Sequence, residues 1–350
     1  MIAGKEKTPS ELGFYMPAEW HVHKATWLAW PHNELTWPER IEKLEENYIE
    51  IVKALHTGEI VNVLVNDKKS EDKVKGLLSK AGIDLGNVII HKIQTGDAWI
   101  RDYGSNFLIS RKDKKIVMND WNFNAWGNKY EHSEQDDIIP LKINKILNLK
   151  LFSPGIILEG GSIDVNGNGS ILTTKQCLLN KNRNPHLSQE QIESYLKKYL
   201  GVSNIIWLNR GIEGDDTDGH IDDIARFVDE KTIVCAYEEN KSDDNFSALD
   251  ENFKILESAK SENGKRFSIV KLPMPEPVYS DGMRLPASYV NFYIGNKAVL
   301  VPTFSQKNDK IAMDILQGLF PRLKIVGINC LDMVYGHGAI HCLTQQEPRI

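Results

Sequence analysis

Short β-type runs alternate with helix-type segments along the whole chain, and this alternation constrains the fold more than any single motif. A helix is expected where apolar residues return at helical spacing, as at Ile41, Leu44, Tyr48, Ile51 and Leu55. Thr36 is its expected N-cap, with Pro38 in the first turn and a stop near Gly58. Further helices are expected over 70–80, 134–147, 188–200, 247–259 and 309–319. Between them fall β-type runs over 25–30, 60–65, 88–93, 106–109, 115–120, 155–165, 170–179, 205–208, 221–228, 232–237, 267–272, 289–294, 298–301 and 324–328. The order reads β-β-α-β at intervals of about 60 to 70 residues, the rhythm of an α/β architecture built from similar units. Only the element order repeats, not the residues. No Pro/Gly/Ser-rich linker divides the chain, so residues 1–350 are expected to form one domain.

Charge excludes several kinds of partner. Forty-two basic residues stand against 48 acidic ones, a formal charge of −6, which argues against a nucleic-acid grip. No basic run suits a membrane surface, and no 18-residue apolar run could span a bilayer. The first eight residues have no apolar stretch behind their lysines, so no signal peptide is expected there. Cys177, Cys235, Cys330 and Cys342 form no C-x-x-C pair, so reduced thiols in the cytoplasm are expected. Cys177 and Cys235 sit in apolar runs that read as core strands.

Four segments hold more glycine and polar residues than a core requires. Gly96–Gly104 contains Asp97, Trp99, Arg101 and Asp102, and by itself reads equally as a surface turn with an ion pair. In 158–164, a Gly-Gly pair follows Glu159, the mark of a bulge or a close backbone approach. It is no phosphate loop, because no Lys-Ser/Thr follows. Segment 213–223 carries six carboxylates and His220, then runs into apolar residues. It lacks the order of a helix-flanked calcium loop. His220 and Asp222 would share one face of a strand and could ligate a metal, but no second histidine cluster completes a site, so no metal is expected. Segment 336–347 surrounds Cys342 with glycine, histidine and polar residues, which suits a reactive thiol better than a structural one.

Together these segments resemble the agmatine deiminase family of the guanidino-modifying pentein group, over nearly the whole chain. The resemblance runs through 16–20 (MPAEW), 25–32 (ATWLAWPH), 97–102 (DAWIRD), 121–127 (WNFNAWG) and 158–162 (LEGGS). It continues through 172–174 (LTT), 177–179 (CLL), 184–185 (NP), 219–223 (GHIDD) and 340–348 (IHCLTQQEP). It implies a propeller of five β-β-α-β units around a central active site.

The resemblance also implies a reaction: hydrolysis of agmatine to N-carbamoylputrescine and ammonia, in polyamine metabolism. Cys342 matches the nucleophile that forms a covalent S-amidino intermediate, and His220 matches the general acid/base. Asp102 and Asp222 match the carboxylates that clamp the guanidinium, whose planar fork of N–H donors suits bidentate pairing. Glu159 matches the carboxylate that positions His220. Asp216 stands where relatives specific for agmatine hold its far ammonium, and Trp99 would line the alkyl chain. No metal or organic cofactor is implied, and a homo-oligomer, dimer or larger, is. Many relatives carry Gly-Gly-Gly-Asn before Ile-His-Cys where this chain has Gly336-His337-Gly338-Ala339, and Gly-Pro where it has Gly104-Ser105. Two other readings remain open at this point. One is deimination of another guanidino compound such as peptidyl-arginine. The other is a non-enzymatic binder of cationic amines, which would need no nucleophile.

Overall fold

The computed structural model describes residues 7–131 and 133–350, and most of the N-terminal octapeptide considered as a signal peptide falls outside them. Four small sheets share one plan, two antiparallel strands followed by a third strand parallel to the second. The plan is seen in Asn106–Ser110, Ile116–Asn119 and Lys150–Phe152. It recurs in Ile163–Val165, Ser170–Thr174 and Asn204–Leu208, and in Ala225–Phe227, Thr232–Tyr237 and Ser268–Pro273. Tyr293–Ile294, Ala298–Thr303 and Lys324–Asn329 repeat it again. The remaining blade is assembled from both ends of the sequence. Gln345–Pro348 lies antiparallel to His23–Ala29, which is joined in parallel by Ile60–Val65 and then Val88–Lys92. Five β-β-α-β units therefore close into a ring, the pentein propeller. Among the described residues one further hairpin, Tyr279–Ser280 with Met283–Arg284, stands apart from the blades.

A parallel third strand needs a crossover, and in each blade helical chain supplies it. Gln189–Leu200 shows how the residues dictate one. Ser188 and Gln191 form a reciprocal capping box, Ile192, Leu196 and Leu200 bury one face, and Gly201 ends the helix at φ 69°. A Cβ on Gly201 would also meet the Phe14 carbonyl at 2.7 Å, so glycine is required twice over. Ile41–Leu55 buries Leu44, Tyr48, Ile51, Val52 and Leu55 as its spacing predicts.

Four expectations are corrected. The first helix starts after Arg40 rather than at Thr36, whose hydroxyl instead donates to Asp97. The helix expected over 134–147 is two, Ser133–Asp137 and Ile139–Leu147, with Pro140 at the start of the second, where it lacks no bond. His220 and Asp222 do not share a strand face. Ile221–Asp223 is a 3₁₀ turn, and the strand begins only at Ala225. Cys177 is not on a strand either. Strand Ser170–Thr174 ends where the Thr174 hydroxyl caps the short helix Lys175–Leu178.

Candidate active site

Each blade's first strand is preceded by a short irregular segment, and the five segments meet. They deliver Asp102, Glu159, the pair His220 and Asp222, Asn291, and Cys342, none more than 6% exposed. Polar groups this deeply buried must be held by partners, and most are. Asp102 accepts from Gly161 N and from Trp126 Nε1, both at 2.9 Å. Asp222 accepts from His341 Nδ1 at 2.6 Å, and its other oxygen has no partner. The Cys342 thiol points at Asp222 across 3.7 Å and receives the Asn291 amide at 3.1 Å. That amide also donates to Asp223 at 3.0 Å. Beneath them His341 Nε2 lies 2.8 Å from Glu19, which also pairs with Arg226 at 2.8 Å and Arg101 at 3.3 Å.

These charges set the proton inventory. Burial pushes the Asp102 carboxyl up to about 6, the neighbouring Asp222 and Glu159 charges adding to the rise while His220 opposes it. Burial would also raise Asp222, but the His341 bond and charge hold it below its usual range. Burial alone would push His220 down, yet Asp102, Cys177 and Asp222 together carry it well above the usual imidazole range. The Cys342 thiol is driven well above an ordinary thiol, by burial and then by Asp222, Asp223 and Asp102. The resting centre near neutral pH therefore holds a thiol, an imidazolium and the ionised Asp102 and Asp222 carboxylates, while burial and the Asp222 charge push the Asp223 carboxyl well up; it is a receptor for a cation.

The centre opens on a cavity of about 450 Å³. Asp102, Cys342, Trp99, Trp126, Tyr130, Lys129 and Asp216 all line it, and the Trp126 and Tyr130 rings, with centroids 5.6 Å apart, stand between the Asp102 carboxylate bonded to the first and the Asp216 carboxylate bonded to the second. Tyr130 Oη donates to the Asp216 carboxylate, and Lys129 reaches both the Asp216 carbonyl and, at 2.8 Å, Asp218. His220, Asp222 and Glu159 lie behind the lining. Glu159 does not bond to His220. One of its oxygens accepts from Arg183 Nε at 2.6 Å, and the other has no partner. Neither His220 nitrogen has a hydrogen-bond partner, although Nδ1 lies 3.7 Å from Asp102. Glu159, Cys177 and His220 do bring ligand atoms within 4.8 Å of one another, the group among the described residues that could hold a metal. Arg183 already supplies a cation there.

All seven residues expected at the site are thus in or directly behind one cavity. Four that matter were not singled out. Asn291 sits within an apolar run, and a lone amide among apolar residues was the available signal. Trp126 lay in a matching string without a role, Cys177 lay in another and read as core, and Arg183 left no local mark.

A guanidinium offers a flat, charged fork of N–H donors, and buried carboxylates around a thiol answer it. An enzyme acting on guanidino carbon–nitrogen bonds is the class that this fold and site define. The pattern of the Porphyromonas-type peptidyl-arginine deiminase family matches residues 15–348, and the chain belongs to that family. It is 41% identical over 343 residues, 97% of each chain, to a Legionella pneumophila (strain Paris) protein provisionally named agmatine deiminase. The solved agmatine deiminase of Enterococcus faecalis superposes with a TM-score of 0.91 at 33% identity over 98% of both chains. A cysteine-to-serine variant of C. jejuni agmatine deiminase with substrate bound superposes at 0.86, 35% identical over 95% of this chain and 96% of that one.

Proposed function

We propose that this chain is an agmatine deiminase, hydrolysing agmatine to N-carbamoylputrescine and ammonia. The observation that carries the reading is one cavity lined by Asp102 and Cys342 and also by Asp216, the two carboxylates being separated by the Trp126 and Tyr130 rings. Two separated carboxylates in one cavity suit a substrate cationic at both ends. Lys129, in the wall, is already committed to Asp218 and Asp216, which leaves it poorly placed for arginine's α-carboxylate.

Asp102 and Asp222 hold the guanidinium in plane. The bound cation favours loss of the Cys342 proton, for which Asp222 is the facing acceptor. The thiolate attacks the guanidinium carbon to give a tetrahedral species. His220 protonates one amino group, the carbon–nitrogen bond breaks, and ammonia departs, leaving the S-amidino intermediate. His220, now neutral, takes a proton from water as the oxygen attacks the same carbon. Collapse expels the thiolate, which recovers its proton, and releases N-carbamoylputrescine. Glu159 holds His220 from behind once its free oxygen turns to the ring. No step calls on a metal or cofactor.

A role in polyamine metabolism follows from the product. Four unpaired cysteines agree with a cytoplasmic setting, and no helix among the described residues is long and apolar enough to cross a membrane. Exposed Ile138, Leu141 and Ile146 offer apolar surface to a homo-oligomer. Ammonia release from agmatine, arginine and a blocked arginine peptide tests the assignment. Agmatine should be turned over by far the fastest, and equal rates on the peptide would reject it.

A further inference from the structure

His337 stands in the left-handed region, at φ 66°, in a tripeptide whose other members are glycines. Packing explains the glycines. A Cβ on Gly336 would strike the Trp37 indole, and one on Gly338 the Trp99 indole. Those two rings pack with centroids 4.9 Å apart, so the loop is clamped on both sides. Residue 337 is the member of the three with room for a side chain, and the imidazole it carries lines the cavity together with Asp216. A non-glycine residue in this conformation is uncommon and invites a functional reason.

The ring's orientation is set from outside the cavity. His337 Nδ1 lies 3.1 Å from the Gly214 carbonyl, an oxygen that can only accept. Nδ1 therefore carries the proton, and in the neutral ring the lone pair is on Nε2. Gly214 is two residues before Asp216, so the loop that fixes the ring also carries the Asp216 carboxylate lining the same cavity. The distal end of the cavity thus holds two acceptor groups, one on each of two loops.

We propose that His337 is a specificity-determining residue, its Nε2 accepting a hydrogen bond from the distal ammonium of the substrate alongside Asp216. The proposal rests on the agmatine reading and extends it. This chain would then grip an ω-ammonioalkyl guanidine at its far end with two groups, a carboxylate and an imidazole. Because both loops are fixed before substrate arrives, the second contact costs little ordering.

The test compares wild type with His337→Gly, which suits the left-handed backbone, and His337→Asn, which also tolerates it. Agmatine is compared with butylguanidine, the same chain without the amine, as substrate or competitive inhibitor, and with arginine. His337→Gly should raise KM for agmatine roughly tenfold, with kcat nearly unchanged and butylguanidine binding unaffected. A parallel loss for agmatine and butylguanidine in both variants would mean that the residue only shapes the loop. An unchanged agmatine KM, or a loss confined to arginine, would overturn the proposal as well. A wild-type enzyme that handles agmatine no better than butylguanidine would instead overturn the agmatine reading, and this one with it.

Discussion

Gly161 is where a single methyl group should separate catalysis from folding. A Cβ built there lies 2.6 Å from His220 Nδ1, 2.7 Å from Asp102 Oδ1 and 3.1 Å from Asp222 Oδ2. Gly161 is not among the residues with positive φ, so alanine meets no backbone penalty. The collision falls entirely on the reacting groups. To reach ordinary contact, the imidazole and the Asp102 carboxylate must retreat by roughly 0.8 Å. Misplacement on the order of 1 Å costs about a hundredfold in rate when the displaced groups align substrate. Gly161→Ala should therefore lower kcat for ammonia release about a hundredfold or more. Overpacking costs about 1–3 kcal/mol, which a chain of this size survives folded. Gly76→Ala provides the control. It makes the same change within the helix Lys68–Lys80, where nothing lies within 4 Å, and should stabilise by about 0.5–1 kcal/mol with activity intact. Steady-state ammonia release and thermal unfolding on the three proteins decide the matter. A Gly161→Ala enzyme within threefold of wild type, or one that simply fails to fold, would refute the reasoning.

Cys342→Ser should abolish turnover while leaving thermal unfolding nearly unchanged, and a haloacetamidine should label Cys342 rather than Cys177 or Cys235, as read by mass spectrometry of the peptides. Asp216→Asn keeps an acceptor for Tyr130 but removes the charge, so KM for agmatine should rise roughly ten- to a hundredfold with kcat much less affected. Asp102→Asn should instead cut kcat severely, because it holds the reacting end. Asp102 must be ionised to grip a cation, and its carboxyl is pushed up to about 6, so kcat/KM should fall as pH drops through that value and recover above it. Burial also raises Asp97 and Asp216 in the cavity lining, and Asp136 there is pushed up to about 7, closest to the Asp102 value. Asp136→Asn should leave the acid limb in place, and loss of the limb in that variant would reassign it.

The blades were legible because each helix must bury one face and each buried strand reads as an apolar run. That is why Ile41–Leu55 and Ala298–Thr303 fall where periodicity puts them. The five segments between blades were harder. In 221–228 the alternation His220-x-Asp222 reads as strand, yet the chain turns there so that Asp222 reaches His341 and Asp223 reaches Asn291. Tertiary hydrogen bonds outweigh local pattern at such a place. Cys177 had the surroundings of a core residue, and only the closeness of its sulfur to a His220 ring nitrogen, within 4.8 Å, distinguishes it. The site was visible through the family's strings of residues, not through propensity.

The blade built from both ends has a consequence for how the protein becomes active. Trp27 Nε1 donates to Glu347 across 320 positions of sequence, one of the longest connections the chain makes. Contacts of that separation are slow to form, because the entropy of joining distant segments is lost before the pairing repays it. Cys342 lies three residues before the strand that makes this closure. Blades whose pairings are local can assemble beforehand, with four of the five polar segments already in position. The thiol arrives with the last strand, so chemical competence should appear in the slowest refolding phase, after most secondary structure has formed. Ammonia release followed during refolding should lag the far-ultraviolet signal for this reason.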